Sequence, residues 1–149
     1  MRTIPPGHEA HHEVLVTPTM TVDFEQGDGR LGALHPVYAT YWLAKHMELV
    51  SRKIILPYLE EHEEGIGFRV EVDHLASALP GMLVNVTGTF ERLAGNRVHV
   101  DCTAVSELGD LIGRGATVQV ILSKARLEDN LAQLEKRWES HREGRTQTW

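Results

Sequence analysis

The strongest constraint on the fold of this chain is the segment Val37–Leu59, which contains no glycine and has the periodicity of a helix. Its apolar residues cover most of the helical circumference, with Val37, Tyr41, Ala44 and Ile55 on one side and Leu43, Met47, Val50 and Ile54 on another. A helix that is apolar nearly all round is buried rather than laid on a surface. The remainder of the chain must therefore surround it.

Two prolines mark the ends of this helix. A glycine-rich loop leads into it and ends at Pro36, which suits the first helical turn. Pro57 is expected to kink or end the helix near its C-terminus. A short acidic loop then leads to segments of a different period.

The segments on either side of the helix have the two-residue period of β-strands. We predict one strand before it and four after it, over Glu13–Phe24, 66–74, Met82–Leu93, Arg97–Glu107 and Leu111–Leu122. A sheet of about five strands can bury a helix only by curling round it. The pattern therefore predicts an α+β hotdog fold, in which a curved antiparallel sheet wraps around a long central helix.

Four regions are expected along the chain. These are an irregular N-terminal arm over 1–12, a hotdog domain over 13–122, a C-terminal amphipathic helix over 123–142 and a frayed tail over 143–149. The last helix carries an apolar stripe at spacings of four, three and four residues, formed by Leu127, Leu131, Leu134 and Trp138. This stripe is suited to packing on the sheet or on a partner.

Composition excludes several classes of function. The chain has 149 residues, which is enough for one domain with a substantial core. Its net charge is −6 and it has no dense basic run, so we expect no nucleic-acid partner. It has one cysteine, Cys102, which suits a reducing compartment, and no apolar stretch of transmembrane length. We therefore expect a soluble, cytoplasmic protein without a membrane partner.

Glu48 and His74 have chemistry that a core does not require. Glu48 lies midway along the apolar helix, and a pair with Arg52 one turn later is the alternative explanation for it. His74 ends a strand on the same predicted face as Phe68, Val70 and Val72, so we expect it to point inward. A hydrogen-bonded core histidine is the alternative there. An acid and a histidine within reach of each other suit acid–base or nucleophilic catalysis.

Thr40 lies eight residues before Glu48. In one continuous helix this separation is roughly 12 Å along the axis and about 80° around it, so the two side chains should not touch within one subunit. If both serve one site, either Thr40 precedes the regular helix or a second chain completes the site. The alternative is that Thr40 is simply a residue of the first helical turn.

No motif for a cofactor or metal is recognisable in the sequence. His8, His11 and His12 lie on the predicted arm, where solvated side chains are expected. The sequence has no nucleophile elbow, Walker loop, dinucleotide-binding glycine pattern or zinc spacing. We therefore expect no cofactor and no metal.

Four short motifs carry a resemblance to a known family. They are Val37-Tyr-Ala-Thr40, His46-Met-Glu48, Gly65-Ile-Gly67 and Val70-Glu-Val-Asp-His74. In this order, and with Thr40, Glu48 and His74 spaced by eight and then twenty-six residues, the chain resembles the fluoroacetyl-CoA thioesterase-like family of hotdog thioesterases. The resemblance covers about residues 13–127.

The resemblance implies an enzyme that hydrolyses a small acyl-CoA or a related acyl thioester as a homodimer or a higher oligomer. Thr40, Glu48 and His74 would be catalytic, with Glu48 as the nucleophile or as the base that activates water. Gly67 and Leu34 would bind substrate, Gly67 through its backbone N–H. Leu34 stands where the fluoroacetate-specific member has an aromatic residue, so fluoroacetyl specificity does not follow.

Two other functions are compatible with a hotdog fold. One is a non-catalytic module that binds an acyl thioester or a small apolar ligand. The other is a dehydratase or hydratase, which pairs an aspartate with a histidine along a motif that this sequence lacks.

Overall fold

The computed structural model describes residues 1–25, 27, 29, 30 and 32–146, and residues 26, 28, 31 and 147–149 lie outside the description. Within the described ranges the elements are β1 (Glu9–Leu15), β2 (Thr21–Asp23), β3 (Ala33–Tyr38), α1 (Thr40–Ile55), β4 (Glu63–His74), β5 (Leu83–Ala94), β6 (Arg97–Ser106), β7 (Leu111–Ser123) and α2 (Lys124–Thr146).

The main sheet has five strands in the order β1-β5-β6-β7-β4, and every neighbouring pair is antiparallel. Strands β1 and β4 are its two edges. Strands β2 and β3 form a separate antiparallel pair that precedes helix α1. Helix α1 lies against the inner face of the sheet, which confirms the predicted hotdog arrangement.

The core is formed by one side of α1 and the inward residues of the strands. Leu43, Met47, Val50 and Ile54 recur at spacings of four, three and four, and all are fully buried. They pack with a fully buried layer of strand residues, chiefly Val84, Val86, Val98 and Val100. Burial of this apolar surface is the main stabilising contribution to the fold.

Burial all round α1 was expected from the sequence and is wrong for one side of the helix. Tyr41 and Glu48 are exposed within this single chain. The sheet is open at the β4 edge, so it wraps only part of the helix.

The ends of α1 differ from the predicted bounds. The chain is extended through Tyr38, as part of β3, and Ala39 keeps an extended conformation, so the helix begins at Thr40. Pro36 therefore lies in a strand rather than in the first helical turn, which a strand of a two-stranded pair tolerates. At the other end the helix stops at Ile55 and a 3₁₀ turn containing Pro57 follows.

The N-terminal segment is more regular than predicted. Strand β1 begins at Glu9 and pairs with β5, so part of the expected irregular arm belongs to the sheet. The single strand predicted over 13–24 is interrupted, because the chain leaves β1 after Leu15 and makes a 3₁₀ turn at Pro18–Met20 before β2.

A β-bulge in β4 changes which face its side chains occupy. Gly67 pairs with Gln119 and Arg69 pairs with Val118, so Phe68 is an extra residue in the strand. Phe68 is exposed, and the guanidinium of Arg97 lies over its ring. The prediction that Phe68 shares the inward face of His74 is therefore wrong, since the bulge resets the alternation after Gly67.

Helix α2 continues to Thr146, beyond the predicted end at 142, and residues 147–149 lie outside the description. Leu131, Leu134 and Trp138 on its apolar stripe are each more than half exposed, so this part of the stripe does not pack on the sheet of its own chain. Among the residues that the structure describes, no helix is long and apolar enough to cross a membrane.

Candidate active site

His74 stands at the end of β4, opposite Gly113 of β7, on the face that meets α1. Its Nδ1 is 2.8 Å from the hydroxyl of Thr40, the first residue of α1. Its Nε2 is buried and has no hydrogen-bond partner within the described chain. Because buried polar atoms are nearly always paired, this nitrogen is the one available to a substrate or to water.

Burial lowers the pKa of His74, and the backbone of Ala76 opposes that effect in part. A histidine with a lowered pKa is neutral at physiological pH, which is the form that accepts a proton. The pair formed by Thr40 and His74 therefore supplies a positioned base.

A cleft of about 300 Å³ adjoins this pair. It is lined by Val22, His35, Val37, Tyr38, Thr40, His74, Leu75, Ala76 and Ser77. Strand β3 thus contributes one wall, including His35, which the sequence reasoning did not select. His35 lies in a region that looks like a loop in the sequence, so no strand pattern directed attention to it.

Glu48 lies elsewhere in the subunit, on the side of α1 that faces β4. It is exposed, and it has no hydrogen-bond or ion-pair partner among the residues described. Its Oε1 occupies the space beside Gly67 where any other residue would place a Cβ atom. Gly67 therefore allows a carboxylate to lie directly against the backbone of the edge strand.

The alternative explanation for Glu48, a pair with Arg52, is not what the structure shows. Arg52 instead donates to Glu64 at 2.7 Å and to the carbonyl oxygen of Gly65 at 2.5 Å. The Arg52 guanidinium lowers the pKa of Glu64. Glu48 is left without a counter-ion in the described chain.

The three candidate catalytic residues do not meet within one subunit. Thr40 contacts His74, whereas Glu48 contacts Gly67, seven residues earlier on the same strand. Along α1 the two places are roughly 12 Å apart. Leu34, the remaining candidate, is 47% exposed on β3, directly before His35 of the cleft wall.

Other histidines and the cysteine lie outside this cleft. His11 contacts the Thr87 hydroxyl, and His12 lies beside Lys53, both on β1 rather than on an arm. Cys102 is buried in the core, and burial raises the pKa of its thiol to about 11. No group of three or more histidine, cysteine or acidic side chains in the described ranges is arranged to hold a metal ion.

Sequence reasoning also missed a buried polar pair next to the cleft. The hydroxyl of Tyr38 is 2.6 Å from Nδ1 of His46. Tyr38 precedes the helix and His46 lies within it, so no helical spacing relates them. The only available signal was a tyrosine and a histidine in otherwise apolar surroundings.

Comparisons with known proteins agree on a family. The family model of FlK, the fluoroacetyl-CoA-specific thioesterase, matches residues 9–125. The fluoroacetyl-CoA thioesterase of Streptantibioticus cattleyicolor is 29% identical over 117 residues, which cover 78% of this chain and 84% of that protein.

Solved structures show the same architecture. A hypothetical protein of Thermus thermophilus, a thioesterase superfamily member, is 60% identical with a TM-score of 0.90, over 94% of this chain and 99% of that one. A variant of the fluoroacetyl-CoA thioesterase in complex with acetyl-CoA is 25% identical with a TM-score of 0.78, over 87% of this chain and 97% of that one.

Proposed function

This chain belongs to the fluoroacetyl-CoA-specific thioesterase family and hydrolyses acyl-CoA thioesters, and from that premise we propose that it acts on a small acyl group at a site shared by two subunits. The family resemblance inferred from the four short motifs is confirmed by the match over residues 9–125. The shared site and the size of the acyl group are the proposal.

The observation that carries this proposal is that two incomplete half-sites lie on one edge strand. His74 has a free buried nitrogen at one place on β4, and Glu48 is unpaired against Gly67 at another. Both places face α1. A second copy of the chain can supply to each half-site what the first copy lacks.

The register of β4 supports a specific pairing. If two β4 edges pair antiparallel about a two-fold axis at Glu71, the extra residue of the bulge brings Gly67 of one chain opposite His74 of the partner subunit. Paired residues on neighbouring strands are about 5 Å apart, within reach of a shared substrate. Each dimer would then contain two equivalent sites.

The surface of β4 supports the same pairing. Ile66 and Val70 are apolar and exposed on a long edge strand, which is a surface that proteins normally cover. Pairing of two such edges satisfies the free backbone groups and buries these side chains together.

The chemistry follows from the groups that the shared site unites. Glu48 removes a proton from the water that attacks the thioester carbonyl, or attacks that carbonyl itself to form an anhydride that water then hydrolyses. The backbone N–H of Gly67 stabilises the oxyanion. In either route Nε2 of the neutral His74 takes up the proton released by the water and passes it to the thiolate that leaves when the C–S bond breaks. Thr40 holds His74 through Nδ1, which leaves Nε2 to carry the proton. The products are a carboxylic acid and the free thiol.

The cleft supports a small acyl group. Its volume of about 300 Å³ is at the lower end of the range for small-molecule sites. Leu34, which directly precedes His35 of the cleft wall, is an aliphatic residue on β3, so the proposal concerns small acyl groups in general. The cytoplasmic location expected from the sequence stays a proposal, supported by the single cysteine.

The first test is thiol release from a panel of acyl-CoAs of increasing chain length. We expect the highest kcat/KM with the shortest acyl groups. Glu48→Ala and His74→Ala should each lower kcat by a factor of at least about 100, because each removes a group that acts in the transition state. Glu139→Ala, an exposed acid on α2, is the matched control. Tight binding without turnover in the wild type would contradict the proposal.

Mixing the two inactive variants tests whether the site is shared. In a dimer of one Glu48→Ala chain and one His74→Ala chain, one shared site carries both substitutions and the other carries neither. After equal mixing and exchange, half of the dimers are mixed, so about a quarter of wild-type activity should return. If each site belonged to one chain, every site would carry a substitution and no activity would return.

A further inference from the structure

The buried pair of Tyr38 and His46 takes no part in the chemistry proposed above. Tyr38 is 0% exposed and His46 is 5% exposed, and their polar atoms are 2.6 Å apart. Two buried polar side chains are costly to desolvate, and apolar residues of similar shape would serve the core equally well. The pair therefore calls for an explanation beyond packing.

The direction of the hydrogen bond follows from the protonation of the two groups. Burial raises the pKa of the Tyr38 hydroxyl, so it keeps its proton and donates. Burial first, and then the neighbouring His12 and Lys45, lower the pKa of His46 to about 4. His46 is therefore neutral near pH 7, and its Nδ1 accepts while Nε2 carries the hydrogen.

Tyr38 connects this pair to the candidate active site. Its ring stands edge-on to the His74 ring, with the centroids 6.3 Å apart and an interplanar angle of 76°. It also lies two residues before Thr40, which holds Nδ1 of His74. His74 is thus fixed by a hydrogen bond at one atom and by an aromatic contact against its ring.

The contact between Tyr38 and His74 is a packing contact rather than a path for protons. The Tyr38 hydroxyl is bonded to His46, and the ring of Tyr38 is what meets His74. A swing of the Tyr38 side chain about its Cα–Cβ bond would change the surface on which His74 rests. The bond to His46 opposes that swing, because it anchors the hydroxyl at the far end of the ring.

We propose that the Tyr38–His46 pair is a positioning element for His74, in which the buried hydrogen bond fixes the Tyr38 ring and the ring holds the imidazole with Nε2 free for reaction. The inference rests on the proposed function, in which His74 moves the proton. In this scheme Tyr38 and His46 touch none of the reacting atoms, and Tyr38 contributes only to the wall of the cleft.

Tyr38→Phe keeps the ring and removes the bond, so it isolates the effect. We expect kcat to fall about tenfold while KM changes by less than about twofold, since a small misplacement of a catalytic group affects the chemical step most. Tyr58→Phe, which removes a hydroxyl just beyond the other end of α1, is the matched control and should keep wild-type kcat.

The double variant Tyr38→Phe/His46→Leu separates positioning from stability. It removes both polar groups, so its melting temperature should recover relative to Tyr38→Phe, whose His46 is left without its donor. The kcat should stay low in both variants. If kcat recovered together with the melting temperature, the pair would be purely structural and the proposal would be overturned.

A spectroscopic readout does not depend on turnover. The ¹⁵N resonances of the His74 ring report its tautomer and its titration midpoint, and in Tyr38→Phe we expect the midpoint to move toward that of a free histidine. Unchanged His74 resonances would overturn the positioning role. Absence of wild-type turnover would instead overturn the proposed function, and the two failures are therefore distinguishable.

Discussion

The space where a side chain of residue 67 would begin is occupied by Oε1 of Glu48, which explains why this residue is glycine. A Cβ at this position would collide with Oε1 of Glu48, whereas the backbone N–H would be unchanged. Substitution by alanine therefore tests the position of the carboxylate separately from the oxyanion contact.

We predict that Gly67→Ala lowers kcat about 100-fold by displacing Glu48 from the substrate. Steady-state kinetics with the best acyl-CoA of the panel provide the measurement. Gly144→Ala on α2, where a Cβ meets open space, is the control. Wild-type kcat in Gly67→Ala would show that Glu48 does not need this place to act.

At the scale of residues, the sequence was most informative where a polar side chain occurs in an otherwise apolar segment. His74 follows Val70 and Val72 on an apolar strand face, and that pattern correctly places it against α1. Glu48 was predicted to be buried, and that prediction is wrong, because the sequence pattern of a helix does not show that its sheet is open at one edge.

At the scale of elements, Tyr38 and His46 join the end of β3 to the second turn of α1. This link depends on a neutral His46, whose pKa is lowered from 6.5 to about 4. The unfolded chain binds a proton at His46 below pH 6.5 and the folded chain does not until about pH 4, so stability falls as the pH decreases through this interval.

We predict that the loss from His46 reaches about 3 kcal/mol of unfolding free energy between pH 6.5 and 4. Urea unfolding at stepped pH should show a shallower acid dependence in Tyr38→Phe/His46→Leu than in the wild type. His62→Gln, at an exposed histidine, is the control and should retain the wild-type slope. Parallel pH profiles for the double variant and the wild type would contradict the prediction.

The elements that the sequence predicted well are those with one regular period. Strands β5, β6 and β7 and the body of α1 lie close to their predicted bounds. Strand β3 was missed because Pro36 and the glycine-rich segment before it are typical of a loop. Its pairing with β2 cannot be recognised from the local sequence. Strand β1 was predicted to start late because His11 and His12 obscure its alternation.

At the scale of the whole molecule, the edge strand β4 sets the assembly that we propose. Val70 is adjacent to the proposed two-fold axis and is 37% exposed in the single chain. A lysine there would place one like charge from each chain on the same face of the sheet, close to the axis, and charged residues on edges are a common obstacle to pairing.

We predict that Val70→Lys is monomeric in sedimentation analysis and loses activity at least about 100-fold, because each half-site lacks its complement. Its unfolding free energy as a monomer should change by only about 1 kcal/mol, as for other exposed positions. Val105→Lys, at a similarly exposed position on β6, should remain dimeric and active. A monomeric Val70→Lys with full activity would refute the shared site.

The bulge at Phe68 also determines whether the number of residues from Gly67 to His74 must be odd or even. In a regular strand only an even separation puts two residues on one face, yet these residues are seven apart and both face α1. An odd separation is therefore possible here only because of the extra residue. In a relative that lacks the bulge, the two residues can both face the helix only if their separation is even. Deletion of Phe68 alone would give such a separation. In an alignment of this family, a one-residue gap beside the glycine is thus the expected record of a bulge gained or lost, with the direction of the His74 side chain unchanged.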